Sequence, residues 1–376
     1  MSDWIEAPLA DLAQWYSGGT PNTSNNEYWG GDIPWISAAS LRDFHITSSD
    51  RCVTTLGAAS GTRLVPAGTT IFVVRGMSLM TEFRIGITKR EVAFGQDCKA
   101  LFPKPIIDPY FLAYAIQAQT PAILGMVDAA GHGTGRLQTD RISRLQVSLP
   151  ADLDEQRATV AVLKTLDDKI AINDQIQCVS FDLAVAYYRR ISFSVKTSVA
   201  LAEILDLKYG KALPASLRLS GAVPVYGSGG VVGHHGEALV AGPGVIIGRK
   251  GTVGTVHWSE GDFFPIDTTF YVRLLRQEIP IEFAFFALRE LGLESMNSDS
   301  AVPGLNRGNA LALRVPLPGN DDLQSFYEEV YSGFALRDAL STESASLAEL
   351  RDTLLPKLMS GEIRVRDAKR IVEDAT

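Results

Sequence analysis

Two textures alternate along this chain. Residues 1–150 and 194–318 carry short apolar runs punctuated by Gly and Pro, the pattern of strands, turns and brief helices. After each comes a long polar-apolar stretch that opens on acidic residues, as a helix N-terminus favours. In the first stretch, Leu163, Leu166, Ile170, Asn173, Gln177, Ser180, Ala184, Tyr187 and Ile191 keep the 3-4 spacing of a coiled-coil seam with a polar middle. In the second, Leu323, Phe326, Val330, Phe334, Leu340, Leu347, Leu350 and Leu354 do the same, with gaps at Arg337 and Ser344, and Pro356 and Gly361 close it. About 40 helical residues would reach about 60 Å, more than a globular core requires. One such helix alone reads better as an amphipathic core element. Two of them, each following a similar unit, fit a spacer.

The two units share their landmarks in order, which marks an internal repeat. Leu9-Ala10-Asp11-Leu12 answers Leu201-Ala202-Glu203-Ile204, and Gly31 to Pro34 answers Gly221 to Pro224. The strand-like run at 71–76, ending in Arg-Gly, matches 245–251, ending in Arg-Lys-Gly. A helix-like stretch from Tyr110 answers one from Glu282, and Asp108-Pro109-Tyr110 reads as a helix start. Leu-x-Val-x-Leu-Pro at 145–150 matches Leu-x-Val-Pro-Leu-Pro at 313–318. The expected fold class is α/β (α+β): two repeated domains joined and separated by two long antiparallel coiled-coil helices, with pseudo-twofold symmetry. The boundaries read 1–150 and 194–318 for the domains, 151–193 and 319–361 for the helices, and 362–376 for a C-terminal tail.

Composition narrows the function. With 46% hydrophobic residues the 376-residue chain is globular, and its three cysteines, Cys52, Cys98 and Cys178, form neither a CxxC nor a disulfide framework. Neither a signal peptide nor a membrane span is evident, so a cytoplasmic protein with no membrane association is expected. The net charge of −8 opposes a simple nucleic-acid binder. The acidity is local, however: residues 321–376 hold 12 acidic and 7 basic residues, while 194–320 hold 11 of each.

Catalytic patterns are missing. His45, His132, His234, His235 and His257 fit no zinc spacing, so no metal site is expected. The glycine-rich run at 242–252 lacks the GxxxxGK[ST] ending of a phosphate loop, and Asp108-Pro109-Tyr110 lacks the second Pro of an adenine-methyltransferase motif.

With the repeat and the helices in place, the chain resembles the specificity subunits of type I restriction-modification systems along essentially its whole length. The resemblance rests on Gly18-Gly19-Thr20-Pro21, on Gly31-Asp32-Ile33-Pro34-Trp35-Ile36, and on the ending of the second helix. That ending reads Leu347-x-x-Leu350-Arg351-x-x-Leu354-Leu355-Pro356-x-Leu358-Met359-Ser360-Gly361-Glu362-Ile363. The second domain departs from the pattern, with Tyr209-Gly210-Lys211-Ala212-Leu213-Pro214 in place of Gly-Gly-x-Pro.

The resemblance implies a non-catalytic subunit that reads a bipartite double-stranded DNA target. Each domain would read one half-site, and helix length would set the spacing. The implied partners are two methyltransferase subunits and, where the system has them, nuclease-translocase subunits. No cofactor is expected in this chain, S-adenosylmethionine being carried by the partner methyltransferase. The alternative is a non-enzymatic two-domain scaffold that binds proteins.

Base readers should sit on loops rich in donors, Arg to guanine being the commonest specific contact. The candidates are Arg75, Met77 and Ser78 against Arg249, Lys250 and Thr252, taken as equivalent positions after a strand. His132, Thr134 and Arg136 likewise answer Asn306 and Arg307. Thr20, Lys211, Tyr226 and Ser228 complete the set. The helix-helix seam is assigned to Leu163, Leu166, Ile170, Asn173, Leu340, Leu347, Leu350 and Leu354.

Overall fold

The computed structural model describes residues 3–131, 133–218, 221–296 and 304–375. They form two compact units, one built from residues 1–170 and 345–376 and the other from 171–344. Both long helices, Leu153–Phe193 and Asn320–Met359, contribute residues to both units. Pro356 lies inside the second helix, which runs three residues beyond it.

In the first unit a five-stranded sheet runs in the order Ala13–Ser17, Cys98–Pro103, Thr70–Val73, Ile85–Thr88, His45–Ile46. Thr70–Val73 is buried at every position, which its β-branched and aromatic side chains suit. A second sheet orders Cys52–Val53, Trp29–Ile36, Val92–Phe94 and Arg63–Val65. Asp108 caps the helix Pro109–Ala118 by accepting from the amides of Tyr110 (2.9 Å) and Phe111 (3.2 Å), so Asp108-Pro109-Tyr110 is a helix start as read.

The second unit repeats this plan. Its main sheet runs Leu205–Tyr209, Thr269–Leu274, Gly244–Gly248, Val256–Ser259, and its second sheet runs Gly230–His235, Val223–Gly227, Phe264–Pro265. The equivalence holds to the residue. Trp35 and Ile36 pair in parallel with Ala93 and Phe94, and Val225 and Tyr226 pair in parallel with Phe264 and Pro265. Each domain is closed by an antiparallel pair of its first and last strands, Trp4–Pro8 with Gln146–Pro150 and Ser198–Ala200 with Arg314–Pro316.

Within each unit the two long helices share the core. In the first, Leu163, Leu166, Leu347 and Leu354 are buried, with Ile170 and Leu350 packed against them. Ala184, Tyr188 and Ile191 meet Leu323, Phe326, Val330 and Phe334 in the second. Asn173, buried at the seam, donates from Nδ2 to Glu343 Oε2 (2.7 Å), while Tyr187 lies against Phe326 (ring centroids 5.9 Å). As one helix advances the other recedes, so the pairing is antiparallel. Leu340 is half-buried. The residues read as a tail form a helix, Val365–Ala375, whose Ala368 and Val372 enter the first unit's core. Among the described residues no helix is long and apolar enough to cross a membrane.

Candidate nucleic-acid interface

The main sheet of the first unit ends in a small ribbon. Thr70–Val73 continues into Arg75–Gly76, which pairs antiparallel with Gly135–Arg136, and that segment pairs with Asp128–Ala129. Arg75 and Arg136 are direct cross-strand partners, and both are exposed. Like charges facing each other destabilise a ribbon. Neither guanidinium makes a hydrogen bond or ion pair with the described residues.

The ribbon is braced from behind. Asp128 accepts from Gln138 Nε2 (2.7 Å) and from Arg141 (2.8 Å), and these two bonds hold its carboxyl below the usual carboxylate value. The amide of Leu137 donates to Val74 O (2.8 Å). At the tip, Thr134 N donates to Gly131 O (3.0 Å), and Gly131 and Gly133 take φ of 85° and 72°, a region glycine enters without penalty. Met77, 74% exposed, stands beside Arg75. Ser78 opens a 3-10 turn. His132 lies outside the described residues. A cleft of about 610 Å³ runs along the ribbon, lined by Arg75, Gln96, Asp97, Lys99, Arg136 and Gln138.

Backbone bonds fix the equivalent place in the second unit. Val74 N and Arg75 N both donate to Asp97 O, whereas Arg249 N and Lys250 N both donate to Thr268 O. Leu137 N donates to Val74 O, whereas Leu305 N donates to Arg249 O. Arg75 pairs with Arg136, and Lys250 bridges Gly304. Arg75 therefore corresponds to Lys250 and Val74 to Arg249, one residue away from the alignment on arginine that the sequence suggested. Arg136 corresponds to Gly304. Gln138 and Asn306 share a role as the residues before short helices, and Asn306 caps its helix by accepting from Asn309 N (3.1 Å).

Several candidates are engaged inside the second domain. Arg249 donates to Asp267 O (2.6 Å) and its guanidinium lies over Tyr209 (5.2 Å) and Phe270 (5.8 Å). Tyr226, 8% exposed, donates to Trp258 O (3.2 Å). Ser228, 7% exposed, donates to the carbonyls of Lys250 and Thr268 and so pins the turn from beneath. Arg307 donates to Leu207 O (2.7 Å) and pairs with Asp206. Lys250 and Thr252 stay exposed on that turn, as do Thr20 and Lys211 on the loops that leave the first strand of each main sheet.

Two groups escaped the sequence reading. Gln96, Asp97, Lys99 and Gln138 come to the ribbon from strands and turns that no shared motif marks. Lys208 and Arg273 join Arg307 around Asp206, whose carboxyl is held low chiefly by the hydrogen bond from Lys208. Alternation along Leu205–Tyr209 could have placed Asp206 and Lys208 on one face. Among the described residues no group of His, Cys, Asp or Glu is arranged to hold a metal ion.

The two units share an α+β plan, the first carries an exposed basic ribbon, and the two long helices pair within each unit. Residues 1–178 match the family model described as the type I restriction modification DNA specificity domain. The match takes in 178 of the 376 residues, a little under half of the chain. It is 27% identical over 161 residues to the Escherichia coli type I restriction enzyme EcoR124I/EcoR124II specificity subunit, covering 42% of this chain and 40% of that protein. It is 27% identical over 173 residues to the Methanocaldococcus jannaschii type I restriction enzyme MjaIX specificity subunit, covering 45% and 39%. The match thus spans about two-fifths of each relative's length. The fold is similar to the crystal structure of the type I restriction-modification S subunit from M. genitalium, with TM-score 0.62 and 19% identity over 95% of this chain and 96% of that one.

Proposed function

We propose that this chain is the non-catalytic, sequence-reading subunit of a type I restriction-modification complex, and that each unit reads one half of a bipartite double-stranded DNA target. The observation that carries this is the duplication. The central strands of the domain matched by the specificity family recur in the second half with the same parallel pairing, and a two-part target needs two readers of one design. Exposed Arg75, Arg136 and Met77 in the first unit, and Lys250 and Thr252 in the second, supply the base contacts. Thr20 and Lys211, on matching loops, contact the backbone, which positions the domains without reading sequence.

The complex would contain two methyltransferase subunits, which carry S-adenosylmethionine and modify adenine, and nuclease-translocase subunits where the system has them. The acidic second helix then faces protein rather than phosphate, which removes the conflict posed by the net charge of −8. Such a complex works in the cytoplasm, where the DNA is.

Methylome sequencing of the host with and without this gene tests the reading. One bipartite adenine motif should disappear with the gene. An unchanged methylome, together with no salt-dependent DNA binding by the assembled complex, would instead identify a protein-binding scaffold.

A further inference from the structure

Resting on the DNA reading above, the inference concerns what the two units read differently. Matching them by hydrogen bonds shows one place where their chemistry diverges. In the first unit it holds Arg75, Arg136 and Asp97; the equivalent residues in the second are Lys250, Gly304 and Thr268. The segment before Gly304, residues 297–303, carries neither Lys nor Arg. At these matched positions among the described residues, one unit presents two guanidiniums and a carboxylate, and the other one ammonium.

We infer that Arg75, Arg136 and Asp97 form a reader for neighbouring G·C pairs, and that the second unit lacks it. Three features favour base edges over phosphates. First, the arginines stand on facing positions of an antiparallel ribbon, the kind of element a major groove admits. Cross-strand partners lie about 4.5–5.5 Å apart at Cα, close to the ~3.4 Å rise between base pairs, so the two long side chains can reach adjacent guanines. Second, both guanidiniums are exposed and make no hydrogen bond or ion pair with the described residues, leaving their donor forks available to guanine O6 and N7. Third, Asp97 lines the same cleft. A carboxylate there repels phosphate, yet it accepts from the N4 amine of cytosine, the partner of guanine. Gln96 and Gln138 flank the cleft with amides able to read an adjoining adenine.

The experiment uses the full chain assembled with the methyltransferase of its own complex, and a pool of duplexes randomised over both half-sites. Bound DNA is sequenced for the unaltered complex and for Arg75→Ala, Arg136→Ala, Arg136→Lys and Asp97→Ala. The half that responds to Arg75→Ala should contain neighbouring G·C pairs. Arg136→Ala should lower the preference at one guanine by about 10- to 100-fold and leave the other half-site intact, which also shows that the variant folds. Arg136→Lys keeps the charge without the fork and should relax the same position less. A responding half without G·C pairs overturns the inference. So does an Arg136→Ala variant that weakens binding equally on every sequence with a shallower salt slope, since that marks a phosphate contact. Loss of all sequence selection in the unaltered complex would instead overturn the DNA reading itself.

Discussion

Arg351 on the second long helix donates to Asp167 on the first at 2.7 Å, and the hydroxyl of Tyr114 donates to the same carboxylate at 2.5 Å. Asp167 is only 7% exposed, so the pair sits where water cannot replace a missing partner. Removing one member of a buried pair typically costs about 3–5 kcal/mol, because the other charge is left uncompensated. Arg351→Ala should therefore lower the melting temperature of the first unit by roughly 6–20 °C. Tyr114→Phe, which leaves the ion pair in place, should lower it less. Equal melting of Arg351→Ala and the unaltered chain would show that the pair contributes nothing.

The first unit should also weaken in mild acid. Burial, and secondarily the charge of Lys89, pull the His45 imidazole below its ordinary value, against the opposing influence of Asp167 and Asp168. A depressed folded value means that the unfolded chain takes the proton first. The contribution is thus fully present above about pH 6.5 and is lost as pH falls from there through the folded value. Melting temperatures at pH 7.5 and 5.5 should differ more for the unaltered chain than for His45→Gln. Parallel losses would assign the acid sensitivity to other groups.

Arg249 and Lys250 are neighbours with opposite expected phenotypes. Arg249→Ala removes a guanidinium that lies over Tyr209 and Phe270 and bonds Asp267 O, so it should destabilise the second unit by about 1–3 kcal/mol while leaving the selected DNA sequence unchanged. Lys250→Ala should leave stability within about 0.5 kcal/mol and relax one half-site. Thermal melting and selection from a randomised duplex pool, run on both variants, read the two effects separately.

The turn that carries Lys250 depends on Gly248. A Cβ there would stand 2.5 Å from Thr255 Oγ1 and 2.1 Å from Thr252 O, and the second contact is with backbone that must shift to relieve it. Gly248→Ala should blur selection in the half-site that Lys250→Ala affects and spare the other. A sharp motif in both halves would show that the turn absorbs the methyl group.

The order of the repeat was legible because its Gly and Pro landmarks mark strand entries. Gly31 to Pro34 and Gly221 to Pro224 each lead into the strand that receives a parallel partner. The seam was legible from its spacing, down to buried Asn173. The one-residue register was not. Both runs contain an arginine near a glycine, and aligning on arginine put Arg75 opposite Arg249; aligning on Gly76 and Gly251 gives the hydrogen-bonded equivalence. Tyr226 and Ser228 misled for a related reason. A Tyr-Gly-Ser-Gly run reads as an open loop, but its hydroxyls are spent on carbonyls of a neighbouring strand and turn. Arg351 stood inside the most specific motif, yet its partner Asp167 is 184 residues away and the Tyr114 that shares that carboxylate is 237 away, beyond any local pattern. The last helix was missed although Val365, Ala368 and Val372 keep a 3-4 spacing.

The burial of Ala368 and Val372 in the first unit's core bears on how the chain is made. Residues 1–170 leave the ribosome first, but the strip that completes their core, 345–376, follows only after the 174 residues from Ala171 to Ser344. At about 5–20 residues per second that interval lasts roughly 9–35 s. The second unit is continuous in sequence and can close during it. The nascent first domain must wait with Leu163, Leu166 and the face of Pro109–Ala118 uncovered, which makes it the part of the molecule most in need of a chaperone during synthesis.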